Sequence, residues 1–141
     1  MKRTSLAKDV CPVARSLETV GDWWSLLIVR DAFVGKKRFG EFQRSLGVAK
    51  NILTVRLKKL VAEGVLDRIP ASDGSAYDDY VLTDKGKRLF LVIMALGEWS
   101  CGEQKFQVVD CKRGKSVRLE LRSEDGRKLA LEDVRLVPIE T

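Results

Sequence analysis

The stretch from Phe39 to Gly64 constrains this chain more than any other. FGEFQRSL carries Phe39, Phe42 and Leu46 at helical spacing, Gly47-Val48 interrupts it, and KNILTVRLKKLVAEG forms a second helix that Gly64 ends. A pair of short amphipathic helices joined by a tight turn reads as a helix-turn-helix. In the second helix Leu53, Leu57, Leu60 and Val61 repeat at three and four and face a core. Lys50, Asn51, Thr54, Val55 and Lys58 project away from it, and offer donors and a small apolar group that base edges and phosphates can use. Outward lysines suit any surface helix, so the decision rests on what surrounds them.

Charge is the first of those surroundings. The chain of 141 residues has a formal net charge of +6. Between Lys36 and Arg68 nine basic residues stand against three acidic ones, so this segment alone equals the whole excess. A basic balance concentrated on a helix pair points to a polyanion. Histidine is absent, which removes the commonest general base, the Ser-His and Cys-His nucleophile pairs and His-containing metal sites. We therefore expect no enzyme and no cofactor. Three cysteines, Cys11, Cys101 and Cys111, fit a reducing compartment better than a disulfide scaffold. MKRTSLAKDV has no apolar leader core, and the apolar run Leu89 to Leu96 is too short to span a bilayer, so a cytoplasmic protein without a membrane partner is expected.

In chain order, residues 1–10 read as a flexible polar arm. Pro12 opens a helix to Val20, since proline is preorganised for a first helical position. Gly21 ends it, and Asp22 caps WWSLLIVRDAF, whose Trp23, Leu26, Leu27, Val29 and Phe33 are too apolar for a surface element. After Gly64 the period changes: Val65 to Ile69 and Tyr77 to Thr83 read as strands around the turn Pro70 to Ala76. A helix-turn-helix followed by a hairpin is a winged helix. From Thr83 one long helix is expected to run to about Ser100, and its LFLVIMAL section is apolar all round, so a single small domain covers one side only. A second copy of the chain is the economical cover for the rest, and would make this a dimerisation helix; the C-terminal tail is the alternative.

The tail alternates cleanly at Val117, Leu119 and Leu121, and again at Leu129 with Leu131 and Val134 with Leu136, between the turn signals CKRGK and SEDG. From Glu103 on, nine basic residues face eight acidic ones, so no phosphate-tracking surface follows. The expected fold is α+β: a winged helix-turn-helix domain with its dimerisation helices over 11–102, and a small antiparallel β meander over 103–141.

CPVARSLETVGDWWSLLIVRDAF, RFGEFQRSL, NILTVRLKKLVAEGVLDR and YVLTDKG, in that order and spacing, resemble the HxlR family of winged helix-turn-helix transcriptional regulators, a MarR-like group. The resemblance implies a homodimer that binds double-stranded DNA at a near-palindromic operator, with the second helix in the major groove, the hairpin wing near the flanking backbone, and no catalysis. By position, Lys50, Asn51, Thr54 and Val55 would face bases, Arg56 and Lys58 would touch the backbone or hold the helix, and Arg38 would seat a phosphate. Val55 stands where the family commonly has a glutamine-like side chain, and would suit a thymine methyl. The wing carries Asp73, Asp78 and Asp79, which repel phosphates and leave Arg68, Ser72 and Ser75 as wing-side donors. Longer members resemble a zinc ribbon in the tail; here DCKRG keeps one cysteine and no second ligand pair, so a degenerate ribbon without metal is expected. A zinc bridged between subunits by Cys101 and Cys111 is the remaining route to a metal.

Two inputs could release such a protein from DNA. Cys11 begins a helix, where the macrodipole, Lys8 and Arg15 favour a thiolate, and some HxlR-type regulators sense oxidants or quinones with a cysteine in this motif. Its alternative is a small buried residue packing the first helix. The second input is a small aromatic effector held by Trp23, Trp24, Phe90 and Trp99. A repressor is the simpler use of a compact dimer than an activator. A protein-interaction module is the reading from another class, and would lack a steep salt dependence of DNA affinity.

Overall fold

In a computed structural model of the chain, residues 4–100 and 102–140 are described. The chain divides by packing into two units, Met1–Ile93 and Met94–Thr141. The first begins with helix α1, Pro12–Val20, whose preceding Cys11 is extended (φ −81°, ψ 121°) and whose first position is the proline. Leu6 of the N-terminal arm donates its amide to the Glu18 carboxylate at 3.0 Å, which ties the arm to α1. Gly21 closes α1 by donating its amide to Leu17 O at 2.8 Å, and a Cβ there would collide with that same carbonyl.

Helix α2 runs over Ser25–Phe33. It starts two residues later than the WWSLL pattern suggests, and the Asp22 carboxylate accepts the amides of Trp24 and Ser25, both at 2.9 Å, in the capping role expected of it. Helix α3, Phe39–Leu46, has Glu41 reaching back to the Arg38 amide at 3.1 Å. Gly47 turns the chain in the left-handed region at φ 64°, donating to Gln43 O at 2.8 Å. Helix α4 follows over Lys50–Ala62. Strands β1, Leu66–Pro70, and β2, Asp78–Leu82, pair antiparallel in the register Leu66↔Leu82 to Pro70↔Asp78 and make the wing.

The long helix expected from Thr83 is instead two, α5 over Asp84–Arg88 and α6 over Phe90–Ser100. Leu89 donates its amide to Gly86 O, only three residues back, and this tightened turn separates them. The reason lies in tertiary contact: Gly86 sits against the Val65 carbonyl with no room for a Cβ, while the Thr83 hydroxyl caps the Gly86 amide at 3.0 Å and donates to Gly64 O. The start of α5 is thus fixed to the segment just before β1.

The core joins Val20, Ile28, Val29, Phe42, Val48, Leu53, Leu57, Leu60, Val65, Leu66 and Tyr80, with Trp24, Phe33, Leu89 and Ile93 packed against it. It therefore draws on α1 to α4, the wing and the start of α6. The architecture is an α+β winged helix-turn-helix. Leu91, Val92, Leu96 and Trp99 of α6 stay exposed, as do Val13 and Leu17 of α1.

The second unit has less regular structure than its alternation suggests. Strands β3, Leu121–Arg122, and β4, Lys128–Leu129, pair over two residues each, and Val109 and Ser116 make an isolated bridge. Leu131–Asp133 is a 3₁₀ turn and Val134 to Leu136 is not a strand, contrary to the expected meander. Val117, Leu119 and Leu121 are all about 40% exposed, so the alternation has little core to drive longer pairing. Turn chemistry holds the unit instead: the Asp110 carboxylate accepts the amides of Lys112, Arg113 and Lys115. Cys111 is exposed in this turn, and Cys101, its suggested zinc partner, lies outside the described residues.

Candidate nucleic-acid interface

Helix α4 separates its two chemistries as its periodicity requires. Leu53, Leu57 and Leu60 are buried, whereas Lys50, Asn51, Val55 and Lys58 are exposed. Thr54 is half-buried, and its hydroxyl proton is committed to Lys50 O at 2.8 Å, so it offers lone pairs and a methyl rather than a donor. No side chain caps the start of α4, so its first amides add positive potential beside Lys50 and Asn51. Ile52 is also exposed at the surface of this helix, a position the sequence reading passed over.

Two basic residues of α4 hold the helix rather than project from it. Arg56 places Nε 3.3 Å from the Asp22 carboxylate, a contact that fits the holding role of its two expected roles. Burial works against ionisation of Asp22, but hydrogen bonds from Ser25 and Trp24 and the Arg56 charge outweigh it and keep the carboxyl below its usual range. Lys59 Nζ donates to the Glu18 carbonyl and ties α4 to the end of α1. The sequence reading missed that contact, since nothing local in KNILTVRLKKL marks one lysine of the pair as the tether.

The wing changes the expected roles most. Arg38, expected to seat a phosphate, is already enclosed by acids: Nη2 pairs with Asp73 and lies 3.4 Å from the Ser75 hydroxyl, and Nε lies 3.4 Å from the Asp79 carboxylate. Its side chain also stands over the Tyr77 ring at 5.6 Å. Asp79 is buried, and Lys37 approaches its other oxygen at 3.7 Å. The bond to Asp73 raises the Arg38 pKa, and the Ser75 amide, the Ser75 hydroxyl and Arg38 together hold the Asp73 carboxyl well below the carboxylate range. Arg68 is likewise paired, with Asp78 at 2.8 Å, and stacks over Tyr80 at 5.6 Å. Each of the three wing carboxylates expected to repel phosphate is therefore neutralised by a neighbour. Ser72 is exposed at the turn, and Ser75 is half-buried under Arg38.

A match to the HxlR-like helix-turn-helix family covers residues 19–107. The chain belongs to the HxlR family. An HTH-type transcriptional regulator of Mycobacterium tuberculosis, Rv3095, is 45% identical over 62% of this chain and 55% of its own length. The chain thus spans about half the length of the mycobacterial relatives it matches. Among solved structures, PA1607 is 48% identical with a TM-score of 0.84, covering 95% of this chain and 99% of that one. The reduced form of the redox regulator HypR is 30% identical with a TM-score of 0.59, covering 64% of this chain and 90% of HypR. The HxlR match stops at residue 107, so the turns of the second unit lie beyond it, whereas the likeness to PA1607 covers nearly the whole chain.

Cys11 is exposed, so it is not the buried filler of the alternative reading, and it lies before the family match begins. Its amide donates to the Asp9 carboxylate at 2.8 Å, and the Arg15 guanidinium is held by the carbonyls of Asp9 and Val10 at 2.8 and 3.1 Å. Trp24 packs on the core and Phe90 meets Phe33 edge-on at 4.9 Å, while Trp23 and Trp99 are 87% and 83% exposed. Trp24 satisfies the core first, which is what aromatic residues at helical spacing usually do. Among the described residues no three Cys, Asp or Glu gather as metal ligands, and no helix is long and apolar enough to cross a membrane.

Proposed function

We propose that this HxlR-family chain is a homodimeric transcriptional repressor that reads a near-palindromic operator with α4 and releases it on oxidation of Cys11. The observation that carries the reading is the exposed row Lys50, Asn51, Val55 and Lys58 on a helix whose opposite face is fully buried, so the row is rigidly presented. Its members divide by chemistry: Asn51 can bond a base edge, Val55 can meet a thymine methyl, and Lys50 and Lys58 can take bases or phosphates. Arg56 serves the reading by holding α4, and Arg68, Ser72 and Ser75 serve it by shaping the wing. Dimerisation is supported by the exposed apolar side chains of α6 and α1, and the thiol input by the exposure of Cys11 and the likeness to HypR.

The test is a fluorescence-anisotropy titration on DNA upstream of the chain's own gene and on random DNA, with and without diamide. Tight binding that falls steeply with salt, is lost in diamide and returns with dithiothreitol is the expected result. Diamide takes up the two protons and two electrons that a pair of thiols gives on forming a disulfide, and Cys11→Ser should abolish the response. Asn51→Ala should cost about 1–3 kcal/mol of preference for the operator over random DNA. Equal losses on both DNAs would remove Asn51 as a base reader, and binding indifferent to salt would return the chain to a protein-interaction module.

A further inference from the structure

A cleft opens between α3 and the wing, walled by Phe39, Gly40 and Arg44 on one side and by Arg68, Tyr77 and Tyr80 on the other. Both walls pack on α4, which places the cleft beside the helix proposed to enter the groove. The charges around it are almost all spent. Glu41 accepts the amides of Lys37 and Arg38 at 3.4 and 3.1 Å, Asp78 holds Arg68, and Arg38 is held by Asp73 and Asp79. Arg44 is the exception: it is exposed and, among the described residues, has neither an ion pair nor a hydrogen bond.

Gly40 shows where that guanidinium rests. A Cβ on Gly40 would stand 3.0 Å from Arg44 Nη1 and 3.8 Å from Cζ, so the side chain folds back over the bare backbone one turn earlier. The result is a planar cation with its donors open, beside the exposed ring of Tyr77, in a cleft where Asp78 is paired with Arg68 and Glu41 is turned to backbone amides.

We propose that this cleft is a seat for a DNA backbone phosphate and that Arg44, rather than Arg38, supplies its charge. The inference rests on the DNA-binding reading above and adds the residue that positions the wing side on the duplex. Because a phosphate contact carries no sequence information, a random-sequence duplex is the probe. Wild type, Arg44→Ala, Arg44→Gln and Arg44→Lys are titrated between about 50 and 200 mM salt, with thermal melts of each. Arg44→Ala is expected to weaken binding and to lower the slope of log affinity against log salt by about 0.9 per chain, and Arg44→Lys to keep the wild-type slope. An unchanged slope in Arg44→Ala overturns the seat while leaving DNA binding intact. If Arg44→Ala also melts early, Arg44→Gln decides: a lowered slope in a normally melting protein supports the seat, and a wild-type slope overturns it. A wild-type protein that ignores the duplex at low salt overturns both readings.

Discussion

One guanidinium joins the wing to the helix pair. Arg38 precedes α3, and its bonds to Asp73 and to buried Asp79 cross 35 and 41 residues of chain. The consequence is a pH dependence of known sign. The Asp73 carboxyl is lower in the folded chain than its ordinary value, so its contribution to stability is complete above about pH 4 and is lost as pH falls through the depressed folded value. We expect Asp73→Asn to melt below wild type by a constant margin from neutral pH down to about pH 4, and the margin to shrink at lower pH. A margin that vanishes already near neutrality would show that the pair contributes nothing. A basic residue before α3 was legible in the sequence. That it is enclosed by three wing residues was not, because ion pairing depends on which loops meet.

At the scale of elements, α4 makes the sharpest contrast between its faces. Leu57 is 1% exposed and Val55 is 59% exposed, two residues apart on the same helix. In urea unfolding Leu57→Ala should cost about 2–5 kcal/mol, through lost transfer energy and a residual cavity. Val55→Ala should stay within about 0.5 kcal/mol. Comparable losses at the two positions would mean that Val55 is packed and unable to face a base. Helices α3 and α4 were legible because apolar spacing of three and four is a local signal, strong over eight and thirteen residues. The break at Leu89 was not. A run of eight apolar residues has no period to interrupt, and the interruption comes from Gly86 seated on the Val65 carbonyl. In the second unit alternation located β3 and β4 but also suggested strand at Leu131, which lies in a 3₁₀ turn, because pairing needs a buried face and β3 and β4 pair over two residues each.

For the whole molecule, the apolar side chains left outside are the surface on which the proposed dimer depends. Leu91 and Leu96 of α6 are 63% and 48% exposed. Burying a leucine contributes about 1.5–3 kcal/mol, and a two-fold interface buries each twice. Leu91→Asp should therefore weaken a dimer by about 100-fold or more. Sedimentation velocity at micromolar concentration should show monomer for that variant and dimer for wild type. A monomeric wild-type chain would remove the second copy as the cover for α6 and, with it, the two-headed operator.

Local order along the chain was enough to specify a winged helix-turn-helix with a basic segment, because helix periodicity, capping and turn residues act between neighbours a few positions apart. The amount of positive charge was equally plain, since it is a count. Which of those charges is still available was settled by folding alone. Arg38, Arg56 and Arg68 are consumed by acids of the wing and of the turn before α2, whereas Arg44 rests over Gly40 with its donors open. Coulomb attraction and hydrogen bonding act through space, and the partners of Arg38 and Arg56 become neighbours only after the core has closed.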